Sequence, residues 1–152
     1  MPNLKTVFVI LASLFWASST IAAPIIQSAP DVAQQVNAGE MVLLDIRSRS
    51  EWQETGIAAG AWPVSMHEPD FGQKLQQILQ HYKPKQIAII CATGGRTEYM
   101  AATLEGFGIQ GITDLSEGMI GNKNGPGWLA RKMPIITLEQ SQANFDAKFK
   151  TK

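Results

Sequence analysis

The chain holds one cysteine, and the residues around it are of types that can make a thiol reactive. Cys91-Ala92-Thr93-Gly94-Gly95-Arg96 follows directly on the apolar run Gln86-Ile87-Ala88-Ile89-Ile90. A run of that kind reads as a strand buried on both faces, and ligands of parallel α/β sheets bind beyond the carboxyl ends of such strands. Gly94 and Gly95 let the loop take backbone angles that other residues resist, so that successive N–H groups turn inward as an anion-binding nest. The segment from Arg96 to Phe107 reads as a helix, with Met100, Ala101, Leu104 and Phe107 on its apolar face. Its positive N-terminal end points at the same place. Arg96 adds a permanent cation at the rim. All three effects favour a thiolate over a thiol, so Cys91 reads as an activated nucleophile rather than a small buried hydrophobe.

The elements that position this loop follow from pattern. Met41-Val42-Leu43-Leu44-Asp45-Ile46 is a second buried-type strand, and Ile112 to Leu115 a third. Ala61 to Val64 is a brief strand whose Pro63 limits its pairing. Asp31 to Ala38 reads as a short helix stopped by Gly39. Ser48 or Ser50 caps a helix that runs through Glu54 and ends at Gly56. Asp70 is expected to cap an amphipathic helix with Phe71, Leu75, Ile78, Leu79 and Tyr82 on one face, ended by Lys83-Pro84. Trp128 to Lys132 forms about one turn, and Glu139 to Lys150 a last helix. Strands alternating with helices predict an α/β fold with a mainly parallel central sheet and helices on both faces.

Composition narrows the function. Thirteen Lys+Arg balance 13 Asp+Glu among 152 residues, so the basic excess of a nucleic-acid binder is missing. A single cysteine excludes an intrachain disulfide framework and a Cys-rich zinc site. His67 and His81 are isolated in sequence and read as solvated surface residues; Met66 beside His67 suggests copper, but no other ligand spacing supports it. Residues 1–22 have the layout of a secretory signal peptide: Lys5, an apolar run from Val7 to Ala17, then small residues before Pro24. The apolar run is short for a membrane span of about 20 residues. Cleavage after Ala22 or Ala23 leaves no stable membrane insertion, and the low lysine content reads as bacterial, which makes the periplasm the expected destination. An uncleaved anchor is the alternative. Residues 23–40 are then an arm with a short helix, loose from Pro24 to Ala29; 41–137 form the domain; and 138–152 are a terminal helix and tail.

Taken together, these segments resemble the rhodanese (sulfurtransferase) family. The loop from Cys91 to Arg96 resembles its active-site loop. Leu44-Asp45-Ile46-Arg47 with Glu51-Trp52 resembles its Asp-x-Arg and Glu-aromatic signature. Gly56-Ile57-Ala58-Ala59-Gly60-Ala61 resembles its Gly-His-Ile-Pro-Gly-Ala segment. Leu115-Ser116-Glu117-Gly118-Met119, Trp128 and Met133-Pro134 resemble its closing elements. The resemblance covers about residues 41 to 135. It departs at Ile57 and Ala59, where the family has His and Pro, and at Ala92, often polar there; these departures bear on substrate preference.

The resemblance implies that Cys91 takes sulfur from a small sulfur-containing anion such as thiosulfate, becomes a persulfide, and passes the outer sulfur to a thiophilic acceptor such as cyanide or a protein thiol. It implies no metal and no organic cofactor, with Ala92, Thr93, Gly94, Gly95 and Arg96 forming the substrate-binding loop and Asp45 and Arg47 in support. Thr93 is expected to orient donor oxygens. Asp45 is read as a structural carboxylate tied to Arg47 or to a turn, Arg47 and Glu51 as a local ion pair, and Trp62 and Trp128 as packing residues that can also wall the pocket. The alternatives are a non-catalytic sulfur carrier or partner-binding module, and a phosphatase or arsenate reductase relative. Those last enzymes place five residues between Cys and Arg where this chain has four. If the leader is removed, N-terminal sequencing of the exported protein starts at Ala23 or Pro24; full-length protein in the membrane fraction would favour the anchor.

Overall fold

The computed structural model describes residues 25–83 and 86–150; the leader predicted over residues 1–22 lies outside them. The two longest apolar runs become neighbouring parallel strands, β2 (Met41–Asp45) and β5 (Gln86–Ile90), in register from Met41 opposite Gln86 to Asp45 opposite Ile90. The remaining elements are β1 (Ile25–Ile26), α1 (Ala29–Asn37), α2 (Arg49–Thr55), β3 (Ile57–Ala58), β4 (Ala61–Pro63), α3 (Phe71–His81), α4 (Gly95–Gly106), β6 (Ile112–Asp114), α5 (Gly127–Ala130), β7 (Ile135–Ile136) and α6 (Leu138–Phe149). The main sheet is five-stranded, in order β1-β6-β5-β2-β4, and each of its pairings is parallel. β3 and β7 form a separate antiparallel pair.

Alternate residues of each central strand supply the two layers of core. Met41, Leu43, Ala88 and Ile90 pack with Ala29 and Val32 of α1, Trp52 of α2 and Trp128 of α5. Val42, Leu44, Ile87, Ile89 and Cys91 pack on the other face with Leu75 and Ile78 of α3, Met100, Ala101 and Leu104 of α4, and Phe145 of α6. Both faces of the sheet are therefore covered, as the unbroken apolar strands require. Trp62 is half-buried against Tyr82, Phe145 and Phe149, and its role is packing.

Several boundaries and caps differ from the sequence reading. The segment after Pro24 is not all loose: Ile25 and Ile26 pair with Thr113 and Asp114. α1 starts earlier than Asp31, because Ser28 caps it and Pro30 fits its first turn, where no N–H partner is needed. Asp70 makes no side-chain cap on α3; its carboxylate pairs instead with Lys74, at 3.2 Å. Ser48 is the cap of α2, in a reciprocal capping box with Glu51. Pro63 stands in β4, an edge strand, where its missing N–H costs no ladder bond on the open side.

Arg47 pairs with Asp45 and not with Glu51. Its guanidinium turns inward and grips the Asp45 carboxylate, Nη2 to Oδ2 at 2.7 Å and Nε to Oδ1 at 3.0 Å. Its other donors go to Thr55 Oγ1 and the Gly56 carbonyl, both at 2.7 Å. Asp45 and Arg47 are 0% and 1% exposed, so each charge depends on the other. Asp45 is thus structural, and the pair fixes the carboxyl end of β2 to the end of α2. Removing one member strands a buried charge. Arg47→Leu is expected to cost about 3–5 kcal/mol, read as a lower denaturant midpoint; a loss under about 1 kcal/mol would show the pair to be dispensable.

Candidate active site

Cys91 directly follows β5 and is 1% exposed, its side chain on the face covered by α4. The Gly94 N–H donates to Cys91 Sγ at 3.1 Å, which is the inward-turned amide expected of the loop. Thr97, buried in the first turn of α4, donates its hydroxyl to the Gly94 carbonyl at 2.7 Å and lies 4.0 Å from Sγ. Gly94 takes φ +89°, and a Cβ there would run into the Ser116 carbonyl oxygen, so glycine is required on both counts.

A second loop clamps the first. The Met119 N–H donates to the Cys91 carbonyl and the Ile120 N–H to the Ala92 carbonyl, both at 2.9 Å. Asn122 Nδ2 reaches the Thr93 carbonyl at 2.6 Å and the Ser116 carbonyl at 2.7 Å. Gly118, at φ +67°, allows this approach, since a Cβ would meet the Ala92 carbonyl. Beneath the second loop lies Glu117, 2% exposed, accepting from the Ala29 N–H (2.7 Å), the Gly127 N–H (2.8 Å) and Arg131 Nε (3.0 Å). Burial pushes the Glu117 pKa up, but these donors outweigh it and hold the group below the ordinary 4.5.

Arg96 stands at the rim, and both its terminal nitrogens meet Glu51: Nη1 donates to Oε2 at 2.7 Å, and Nη2 pairs with Oε1. Glu51 is itself fixed by the Ser48 N–H at 2.9 Å and the Ser48 hydroxyl at 2.8 Å. The hydrogen bond from Arg96, with help from Ser48, lowers the Glu51 pKa from 4.5 to about 2, against the opposing effect of burial. The same bond, donated to Glu51, raises Arg96 above its ordinary value, with Cys91 adding to it. His67 Nε2 lies 3.4 Å from Arg96 Nη1, so this histidine is not isolated.

The structure thus brings together Cys91, the loop residues and Arg96, and leaves Asp45 and Arg47 tied to each other at the end of the neighbouring strand. The Thr93 carbonyl is held by Asn122 while the residue itself is exposed. Trp128 is buried, and its Nε1 donates to the Pro134 carbonyl at 2.8 Å, which makes it a packing residue. Thr97, Glu51, Asn122, Glu117 and His67 were missed as site residues. The Ser48-x-x-Glu51 capping box was legible, but nothing local pointed Glu51 at a residue 45 positions away. Among the described residues no group of three or more His, Cys, Asp or Glu is placed to hold a metal ion.

The profile of the rhodanese-like domain family matches residues 28–123. The chain belongs to that family. An uncharacterised protein of Rickettsia rickettsii is 26% identical to this rhodanese-like chain over 101 residues, covering 60% of it and 80% of the relative. A second, from Rickettsia conorii, matches equally. Among solved structures, an Anabaena protein superposes with a TM-score of 0.61 at 18% identity, covering 80% of this chain and 93% of its own. The polysulfide-sulfur transferase homodimer of Wolinella succinogenes gives 0.55 at 20% identity, covering 76% and 80%. A Rhodopseudomonas palustris protein described as a possible tyrosine phosphatase gives 0.51 at 20%, covering 74% and 83%. These structures establish the rhodanese-like fold.

Glu51 titrates with a definite sign. Its folded-state pKa lies below the unfolded one, so its stabilising effect is complete above about 4.5 and is lost as pH falls towards about 2. The stability gap between wild type and Glu51→Gln is therefore expected to be constant from pH 7 to 5 and to narrow below that, as read by urea midpoints. A gap that does not change with pH would show that Glu51 is not held by Arg96 in solution.

Proposed function

We propose that this domain is a sulfurtransferase acting through a Cys91 persulfide. The observation that carries the reading is the amide-lined sulfur: Cys91 Sγ accepts the Gly94 N–H in a loop closed by Arg96 after four intervening residues. Such a nest fits one sulfur, where a tetrahedral oxyanion asks for a longer loop.

In the first half-reaction the Cys91 thiolate attacks the outer sulfur of thiosulfate. The new bond is S–S within Cys–S–S⁻, the bond broken is that between the outer and the central sulfur, and sulfite leaves with both electrons of the old bond. In the second, cyanide attacks the terminal sulfur and thiocyanate departs, restoring the thiolate. No proton is gained or lost in either step. The Gly94 N–H and the dipole of α4 stabilise the negative sulfur as it moves one atom outward, from thiolate to persulfide. Thr97 and Asn122 keep the loop in the geometry that does so. A protein thiol acting in the periplasm is the corresponding biological acceptor in this reading.

Cys91→Ser is expected to abolish thiocyanate formation with the fold intact, because hydroxyl and thiol differ little in size. Retained turnover would overturn the mechanism, and stoichiometric sulfur loading without turnover would favour a carrier. Arg96→Ala is expected to lose activity on the order of 10²-fold, since the nest loses its fixed edge. Arg96→Lys is expected to lose less, because it keeps the charge but not the two-point grip on Glu51. Wild-type rates in Arg96→Ala would reduce the site to Cys91 and its backbone. Hydrolysis of p-nitrophenyl phosphate in place of sulfur transfer would favour the phosphatase alternative.

A further inference from the structure

An anionic donor needs positive charge at the mouth of the site, and Arg96 alone does not provide a net one. Glu51 occupies both terminal nitrogens of Arg96, so the pair is formally neutral. With the Cys91 thiolate the cluster is net negative, which opposes the approach of a dianion. His67 is the remaining member. It stands in the loop after β4, at the same end of the sheet as Cys91, with its N–H held by Ser65 Oγ at 3.2 Å and its Nε2 3.4 Å from Arg96 Nη1. It is exposed, so its ring can meet an incoming solute.

The groups around His67 leave its charge as the variable one. From α4 it faces Arg96, whose like charge opposes an imidazolium. From α2 it faces Glu51 through Arg96, and this carboxylate favours one; with a pKa of about 2, Glu51 is charged at every pH of interest. In its own loop Glu68 is engaged by Lys74 at 3.0 Å and Arg49 at 3.6 Å, and Asp70 by Lys74 at 3.2 Å. Arg96 is a cation throughout. Imidazole is the side-chain type in this cluster suited to carry a variable charge near neutral pH.

We infer that His67 is a specificity residue of the site, whose protonated form supplies the uncompensated positive charge that admits an anionic sulfur donor beside the fixed Arg96–Glu51 pair. The inference rests on the sulfurtransferase reading for its substrate, but its electrostatic content can be measured without turnover. One unit charge near a dianion, partly screened, changes affinity by about three- to tenfold.

The test compares wild type, His67→Gln and His67→Lys from pH 8 to 5.5. The KM for thiosulfate is expected to fall with pH in wild type by about three- to tenfold relative to His67→Gln at the same pH. His67→Lys is expected to keep the low KM at both ends. In parallel, Cys91 is alkylated with iodoacetate and iodoacetamide, an anion and its neutral analogue. The rate ratio is expected to rise as pH falls in wild type, to stay flat in His67→Gln, and to be high throughout in His67→Lys. Equal ratios and equal KM profiles in wild type and His67→Gln would overturn the inference. A wild type that transfers no sulfur but shows the pH-dependent ratio would overturn the sulfurtransferase reading and leave the charge assignment standing.

Discussion

Glu117, in the loop that clamps Cys91, is the buried acceptor for donors from the start of α1, the start of α5 and the Arg131 side chain just after α5. Its carboxylate accepts from Ala29, Gly127 and Arg131 within 3.0 Å. An unmet buried amide costs about 1–3 kcal/mol, so the segments are held together by the penalty for parting as much as by the bonds themselves. Everything nearer the sulfur depends on this. With Glu117 in place, the following backbone is set at the height where Met119 and Ile120 meet the carbonyls of Cys91 and Ala92, and where Asn122 reaches Thr93. The nest is thus an outer layer of a scaffold whose centre is a carboxylate that touches no reacting atom.

α2 plays the complementary part on the other side. One end is gripped by Arg47 through Thr55 and Gly56, and the other presents Glu51 to Arg96. A seven-residue helix so fastened at both ends converts the rigidity of a buried ion pair into a fixed position for a half-buried one. Arg96 keeps its place by partners outside its own loop, and its charge is balanced before any substrate arrives. The consequence is an electrostatic division of labour. Fixed dipoles stabilise the sulfur, a neutral pair defines the edge, and net charge at the mouth falls to groups further out.

How much of this the sequence carried depends on how local each feature is. β2, β5 and the Cys91 loop are contiguous runs, and the physics that makes them strands and a nest acts on neighbours, so they were readable. β1, β3 and β7 are two residues each; they have no periodicity, and their partners are far along the chain. For Arg47 the sequence offered two carboxylates, Asp45 and Glu51, at spacings that both permit a pair. Only the inward turn of the side chain at a buried strand end decides between them. His67 was read as isolated because its neighbour Arg96 is 29 residues away, brought near by the crossover from β4 to β5. Glu117 sat inside a recognised motif, yet its role depends on the Ala29 amide 88 residues earlier.

That separation has a bearing on the order in which the molecule assembles. Pairing along a parallel sheet joins segments distant in sequence, and the entropy of closing such loops must be met before the contacts reward it. The hairpin-free core of β2, β5 and α4 can condense from the middle of the chain. The Glu117–Ala29 bond and the pairing of Ile25–Ile26 with Thr113–Asp114 both wait for the amino-terminal segment to arrive. Until that segment docks, the loop over Cys91 lacks the buttress beneath it. A nascent or partly unfolded chain then carries Cys91 without its braced loop, and a nested sulfur is a property that only the folded chain acquires.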